Sequence, residues 1–287
     1  MGAPRHIMDS GLARLERASG KLLLAFRLRA GRTALADLYQ EGCLKARFPR
    51  QQAHAHKNGV LINTTGGIAD GDRLDTSITV GEGASAVLTT QAAERVYKAS
   101  DISNPAMVAN RLTVAAGASL YWLPQETIVF DGGALSRDYE IDVAAGATCL
   151  LAEMTVFGRV ARGEAVTKLS LFDRWRLRYA GRLVFADGFR LSGGIADAQA
   201  SDARLMGATS IATLLYIGSD VAEMRAALRS RFEESPCHAA CTLRGNLLIT
   251  RIAAKSPSAV RTALMQAITV LDSARGMASP VLSRWIF

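Results

Sequence analysis

Across the first two-thirds of the chain, apolar residues alternate with small or polar ones, and glycine breaks the rhythm at short intervals. A period of two sends successive side chains to opposite faces of an extended strand. Leu22, Leu24, Phe26 and Leu28 alternate with Leu23, Ala25, Arg27 and Arg29 before Gly31-Arg32-Thr33 turns the chain, which predicts a strand with one wetter face. A stronger signal is a repeat. Ile78-Thr79-Val80-Gly81-Glu82-Gly83-Ala84 recurs as Leu112-Thr113-Val114-Ala115-Ala116-Gly117-Ala118 and as Ile141-Asp142-Val143-Ala144-Ala145-Gly146-Ala147. Each copy reads as a strand, a short turn with glycine available for positive φ, and a second strand opening on a small residue. Hairpins and solenoid rungs both satisfy that pattern. Units of this length stack, because one alone cannot bury its apolar face.

After residue 200 the period lengthens. Val221, Met224 and Leu228 fall at helical spacing behind a cap at Ser219. Pro257 suits a first helical position, and Val260, Leu264, Ala267, Ile268 and Leu271 make one apolar stripe. Residues 209–217 and 246–253 read as strands. The expected fold is mainly β with a few helices: layered β-sheets in a superhelical or solenoid-like arrangement, with an α+β C-terminal region. A single domain is expected over residues 1–287, with 1–19 a flexible N-terminal segment, 20–200 mostly β, and 201–287 mixed strands and helices packed on it.

Composition narrows the function classes. At 49% hydrophobic and 21% charged, with seven prolines, the chain is globular rather than disordered or fibrous. No apolar run approaches the roughly 20 residues of a bilayer span, and the charged start is unlike a secretory signal, so no membrane partner is expected. Four scattered cysteines make no disulfide framework, which points to a reducing cytoplasm. The net charge of +8 admits nucleic acid as a partner. The arginines are spread along the chain without a dense basic run, however, so none is expected.

Familiar catalytic signatures are missing: no Gly-x-Ser-x-Gly elbow, phosphate loop, His-Glu-x-x-His helix or Cys-x-x-Cys pair occurs. The stretch from Asn63 to Arg73, with Gly66, Gly67 and Gly71, reads as a structural turn; no lysine or helix follows to make it a phosphate cradle. His54 and His56 would share a face if extended, and Cys237, His238 and Cys241 would group if helical, so both are weak metal candidates. The bland reading of the second group is a buried thiol near a helix end. Acidic residues in apolar surroundings are more telling, since burying an unpaired carboxylate is expensive. Glu126, Asp131 and Glu153 sit in such runs, and the repeat spacing puts Thr90, Pro124 and Glu153 at equivalent places. A polar seam between layers follows, unless these acids are simply paired with Arg95, Arg137 or Arg159.

At these residues the sequence resembles the UreD (UreH) family of urease accessory proteins. The matching pieces are Glu41-Gly42-Cys43-Leu44-Lys45, the Gly-Gly-x-x-x-Gly-Asp core ending at Asp72, and Thr89 to Tyr97. They continue through Trp122 to Ile128 with Phe130-Asp131-Gly132-Gly133, then Phe157-Gly158-Arg159 with Gly163-Glu164, and Leu282-Ser283-Arg284-Trp285. Threonines at 64 and 65 stand where relatives often carry proline, and Gly42-Cys43 where they often have Gly-Pro. The resemblance implies a non-catalytic scaffold with no tightly bound cofactor that binds apo-urease, recruits UreF and through it the GTPase UreG, and helps transient Ni²⁺ reach the active site. It also implies an internal channel, for which Asp72, Thr90, Glu126, Asp131, Glu153 and Glu164 are the candidates; because helices often supply docking surfaces, the C-terminal region is expected to contribute to the UreF contact. The rival classes are a nickel-storage protein and a β-solenoid carbohydrate-active enzyme. The second would want an aromatic-lined groove, yet the chain is only 6% aromatic.

Overall fold

The computed structural model describes residues 16–49, 56–273 and 275–277. Two sheets form the framework. The first has seven strands in the spatial order Arg182–Gly193, Leu169–Tyr179, Ala134–Val143, Ala106–Val114, Arg73–Val80, Ser19–Arg29 and Arg32–Gly42. The second runs His238–Arg244, Leu247–Ala254, Ser210–Ile217, Thr148–Phe157, Ser119–Trp122, Ser85–Thr90, Lys57–Asn63 and Leu44–Arg47, with the short strands Glu94–Val96 and Thr127–Val129 joined at one side.

The repeat explains how the sheets are linked. In each copy the strand before the glycine belongs to the first sheet and the strand after it to the second, so the turn is an arch between layers and not a hairpin. The three arches are alike: the N–H groups of Ala84, Ala118 and Ala147 donate to the carbonyls of Gly81, Ala115 and Ala144. Successive copies then pair in parallel, Ile78 with Leu112 and Leu112 with Ile141 in one sheet, Ser85 with Ser119 and Ser119 with Thr148 in the other. Parallel pairing extends outward to Ser19–Arg29, Leu169–Tyr179 and Lys57–Asn63, and strands beyond these pair antiparallel, as between Leu169–Tyr179 and Arg182–Gly193 or Ser210–Ile217 and Leu247–Ala254. Layered β-sheets with a mixed C-terminal part are therefore what the chain forms.

Parallel strands need cover on both faces. One core lies between the sheets and includes Leu22, Leu24, Phe26, Ile78, Leu112, Leu120, Ile141 and Leu151. A second lies between the second sheet and two helices, Val221–Glu233 and Pro257–Asp272. Thr148–Phe157 is buried at all ten positions because it faces both: Cys149, Leu151 and Phe157 enter the first core, Leu150, Ala152, Met154 and Val156 the second. The Pro257 helix follows expectation, with Pro257 at its start, the Ser256 hydroxyl accepting from the Ala259 N–H, and the apolar stripe wholly buried. The other helix departs from it. Asp220, not Ser219, holds the cap position, and its carboxylate makes no cap bond because the Tyr216 hydroxyl at 2.6 Å and Arg275 at 3.5 Å engage it.

Of the N-terminal segment expected to be flexible, Arg17 is paired with Asp70 at 2.8 Å, and the Ala18 N–H donates to Asp72. The first strand begins at Ser19. Gly83, Gly117 and Gly146 all have φ between 65° and 74°, a region costly to a residue with a Cβ. Gly117→Ala is expected to lower the unfolding free energy by about 1 kcal/mol, and Gly117→Asn by less, since asparagine tolerates the left-handed region. Urea denaturation checks this, and equal losses in both variants would contradict it.

Candidate functional site

Strand parity decides which polar side chains enter the space between the sheets. On Ala134–Val143 the inward positions are Leu135, Arg137, Tyr139, Ile141 and Val143, so Arg137 stands in a row of core residues. On the neighbouring strand Asp173 is its register partner, between Leu171 and Trp175. Glu153 reaches the same space from the second sheet, flanked by Leu151 and Thr155.

These three form one buried cluster. The Arg137 guanidinium is a fork on Asp173, with Nε at 3.2 Å and Nη2 at 2.5 Å, and its Nη1 donates to Glu153 at 2.5 Å and to the Thr127 hydroxyl at 2.9 Å. Glu153 also accepts from the Tyr139 hydroxyl at 2.5 Å and from Thr127 at 3.2 Å. Tyr139 is fixed in turn by stacking on Trp175, 4.1 Å between ring centroids. Burial opposes the charge of Arg137, but Asp173 and Glu153 outweigh it and hold the guanidinium well above its ordinary pKa. Burial pushes the Glu153 carboxyl up, against the pull of Arg137. Such a group is tolerated inside a sandwich only because every member has a partner.

A cavity of about 290 Å³ opens from this cluster toward the sheet edge. That is far more than the ~10–15 Å³ that one water needs. Its polar lining comprises Asn63, Thr76, Thr90, Gln91, Glu94, Arg95, Asn110, Gln125, Thr127, Arg137, Tyr139 and Glu153, and among the described residues no cysteine or histidine contributes. Exposed Gly66, Gln91 and Ala92 stand at the outer end, buried Arg137 and Glu153 at the inner. Midway is Glu94, half-buried, which accepts from the Asn63 amide at 3.2 Å; burial pushes its carboxyl up to about 7. Beyond the cluster a second, small cavity of about 20 Å³ is lined by Glu153 and Asp173 on one side and by Asp187, Thr213 and Arg251 on the other.

Of the six residues expected to line a channel, Thr90 and Glu153 share the larger cavity. The other four are engaged elsewhere. Asp72 accepts from the N–H groups of Ala18 and Ala69, at 2.7 and 2.8 Å, and so braces the glycine turn. Asp131 accepts from the Lys168 N–H, which lowers its pKa, and from the N–H and hydroxyl of Thr167. Glu164 is held below its usual range by the Arg159 side chain, 2.7 Å away. Glu126 is ion-paired with Arg261 on the Pro257 helix. Of the arginines anticipated as partners of Glu126, Asp131 and Glu153, Arg137 pairs with Glu153, whereas Arg159 pairs with Glu164 instead.

The turn glycines have distinct reasons. Gly66 and Gly71 have φ of 74° and 78°, whereas a Cβ on Gly67 would lie 2.4 Å from the Tyr97 ring. Of the metal candidates, His54 lies outside the described residues, and His56 is buried at the start of Lys57–Asn63. The helical grouping of Cys237, His238 and Cys241 does not form. His238–Arg244 is a strand, which spreads Cys237 and Cys241 over about 13 Å and turns exposed His238 away from them. Cys237 is a buried thiol just past the end of the Val221–Glu233 helix. Among the described residues, no three of His, Cys, Asp and Glu are grouped to hold a metal ion.

Sequence reasoning missed Glu94, Asp173 and Tyr139. Parity carried a usable signal for two of them: Asp173 is the one polar residue in the inward row of its strand, and Tyr139 shares its inward row with Arg137 among apolar residues. Glu94 sits in a three-residue strand too short to show a period.

Two layered sheets under a helical cover, with a charged cluster at the inner end of a polar cavity, define a mostly β protein whose distinctive chemistry is internal. The sequence model described as UreD urease accessory protein matches residues 18–285. The chain is 41% identical over 266 residues to "Urease accessory protein UreD" of Chelativorans sp. (strain BNC1), covering 93% of this chain and 94% of the relative. It is 40% identical over 272 residues to the protein of that name from Rhizobium etli, covering 95% and 96%, and 37% identical to "Urease accessory protein UreD 1" of Brucella abortus, covering 93% and 95%. The chain belongs to the UreD family of urease accessory proteins.

Glu94 makes the site pH-dependent. Its folded carboxyl titrates near 7 and its ordinary value is 4.5, so the folded state binds an extra proton between those limits, and stability falls as pH rises through 7. Glu94→Gln is expected to flatten that slope and to gain on the order of 1–2 kcal/mol at pH 8 relative to pH 5, allowing for partial exposure. Urea titrations across this range check it; parallel pH profiles for the two proteins would contradict it.

Proposed function

We propose that this chain is a non-catalytic scaffold for urease maturation, which binds apo-urease, recruits UreF and the GTPase UreG through it, and passes nickel along its internal cavity. The observation carrying this reading is the chemistry of the cavity: beside the Arg95 and Arg137 guanidiniums its polar lining offers amide, hydroxyl and carboxylate oxygens and, among the described residues, no thiolate or imidazole. A transit route needs ligands that hold a hydrated cation weakly, and soft or imidazole donors would trap it. The same lining speaks against a storage site. On this reading Thr90 and Glu153 meet the ion, with Glu94 as the first carboxylate inside the mouth, while Asp72, Glu126, Asp131 and Glu164 hold the walls. Nickel is cargo here and not a resident cofactor, and the setting is the cytoplasm.

Contact with UreF is assigned to the C-terminal layer. The outer side of the two helices carries a groove lined by Arg231, Thr262, Met265 and Gln266. Deleting the last helix is no test of this contact, because Val260, Leu264, Ala267, Ile268 and Leu271 are core residues.

The passage can be narrowed without touching the buried cluster. Ala93 lines the cavity and is half-buried, so Ala93→Phe places a ring in the opening. The variant is expected to cut urease activation several-fold at limiting nickel, with co-purification of urease and UreF and the thermal midpoint unchanged. Activation equal to that of the unaltered chain would defeat the passage reading and leave a docking scaffold.

A further inference from the structure

The two cavities meet at Glu153 and are separated there by one side chain. Arg137 and Tyr139 line the large cavity, Asp173 and Trp175 the small one, and Glu153 lines both. The guanidinium faces the large cavity and bonds both the shared Glu153 and Asp173 of the small one, so it stands between the large cavity and Asp173. Arg137 is only 4% exposed, so its charge is carried by these carboxylates and not by solvent.

Resting on the passage reading, we propose that Arg137 is a built-in cation that closes the route, and that a divalent ion crosses by displacing the guanidinium from Glu153. The geometry is asymmetric in a way that suits this role. Two nitrogens, Nε and Nη2, grip Asp173, while only Nη1 holds Glu153. A planar fork docked on one carboxylate keeps its main anchor when its remaining donor swings away. Glu153 is then left with the Tyr139 and Thr127 hydroxyls, both of which hold it in place for an incoming ion. Around the guanidinium the facing charged and titratable groups are Glu153, Asp173 and Tyr139, with Glu94 and Arg95 farther along the same cavity. One guanidinium against two carboxylates leaves the cluster short of positive charge, so a dication substitutes for it more readily than a monovalent ion does.

Exchange of one cation for another predicts metal rescue. In the full-length chain, Arg137→Gln is expected to lower the thermal midpoint. Added Ni²⁺ is expected to recover at least about 3 °C of the loss, because an ion bound only by the folded state stabilises it. The same Ni²⁺ should leave the unaltered chain unmoved, and the recovery should vanish in the Arg137→Gln/Glu153→Gln double variant. Equal Ni²⁺ shifts in all three proteins, or none in Arg137→Gln, would overturn the proposal. If Arg137→Gln fails to fold, Arg137→Lys keeps the charge but not the fork; it should show a smaller rise that Glu153→Gln again removes, and no rise overturns the idea. The readout is separate from urease activation. Loss of rescue while Ala93→Phe still blocks activation sinks the gate alone, whereas rescue with normal activation by Ala93→Phe sinks the gate as a step in transport.

Discussion

Parallel pairing of the three arch-linked copies is the constraint from which the rest of the structure follows. Strands that pair in parallel cannot be joined by tight hairpins, so each copy must cross to the other layer before the next begins. That crossing is what the glycine arches do, and the buried alanines after them, Ala84, Ala118 and Ala147, let the two sheets close at the arch. A parallel middle also leaves no sheet face that can be wetted cheaply over its whole width. The second sheet answers with the first sheet on one side and two helices on the other, which is why the C-terminal region changes grammar after residue 200.

The outer face of the first sheet answers differently. Among the described residues no helix covers it, and it carries cross-strand ion pairs: Asp138 with Arg174, Glu140 with Arg176 and Arg178, and Asp75 with Arg111. The first two of these lie in direct register between neighbouring strands. Exposed pairs of this kind contribute little stability singly, but they give a parallel sheet a polar coat. They also commit four arginines of a chain of net charge +8 to carboxylates on neighbouring strands.

How much was legible in the sequence depends on whether a residue's role is local or arises between elements. The strand alternation, the repeat and the Pro257 helix are local periodicities, and they correspond to real elements. The Ser219 cap failed because Tyr216 and Arg275, distant in space only on paper, draw Asp220 into a different set of bonds. Whether an arch or a hairpin follows Val80 was equally invisible, since the local turn chemistry is the same and the choice is made by which sheet receives the next strand. The acids show the same limit. Glu126 and Asp131 looked anomalous in apolar runs and Asp72 and Glu164 entered with the family resemblance; the partners of these four come from Arg261, the Thr167–Lys168 backbone, the turn amides and Arg159, none of which a period of two reveals.

The buried cluster sits at the one place where both grammars fail together. A sandwich core of this kind has every reason to be apolar, since an ion pair between sheets gives no stability advantage over well-packed hydrophobes. Yet Arg137, Asp173 and Glu153 replace three core positions at the inner end of a cavity that otherwise runs among Leu61, Leu74, Trp122 and Leu135. An oxygen-lined passage left open would admit every abundant cation that fits. On the proposed passage reading, a guanidinium held at its inner end makes each of them compete with a charge already in place, and the winner must offer more to Glu153 than one hydrogen-bonded nitrogen does. Closing the route with a side chain instead of a backbone constriction lets the same residues both exclude and admit, with the choice set by the charge and coordination strength of what arrives.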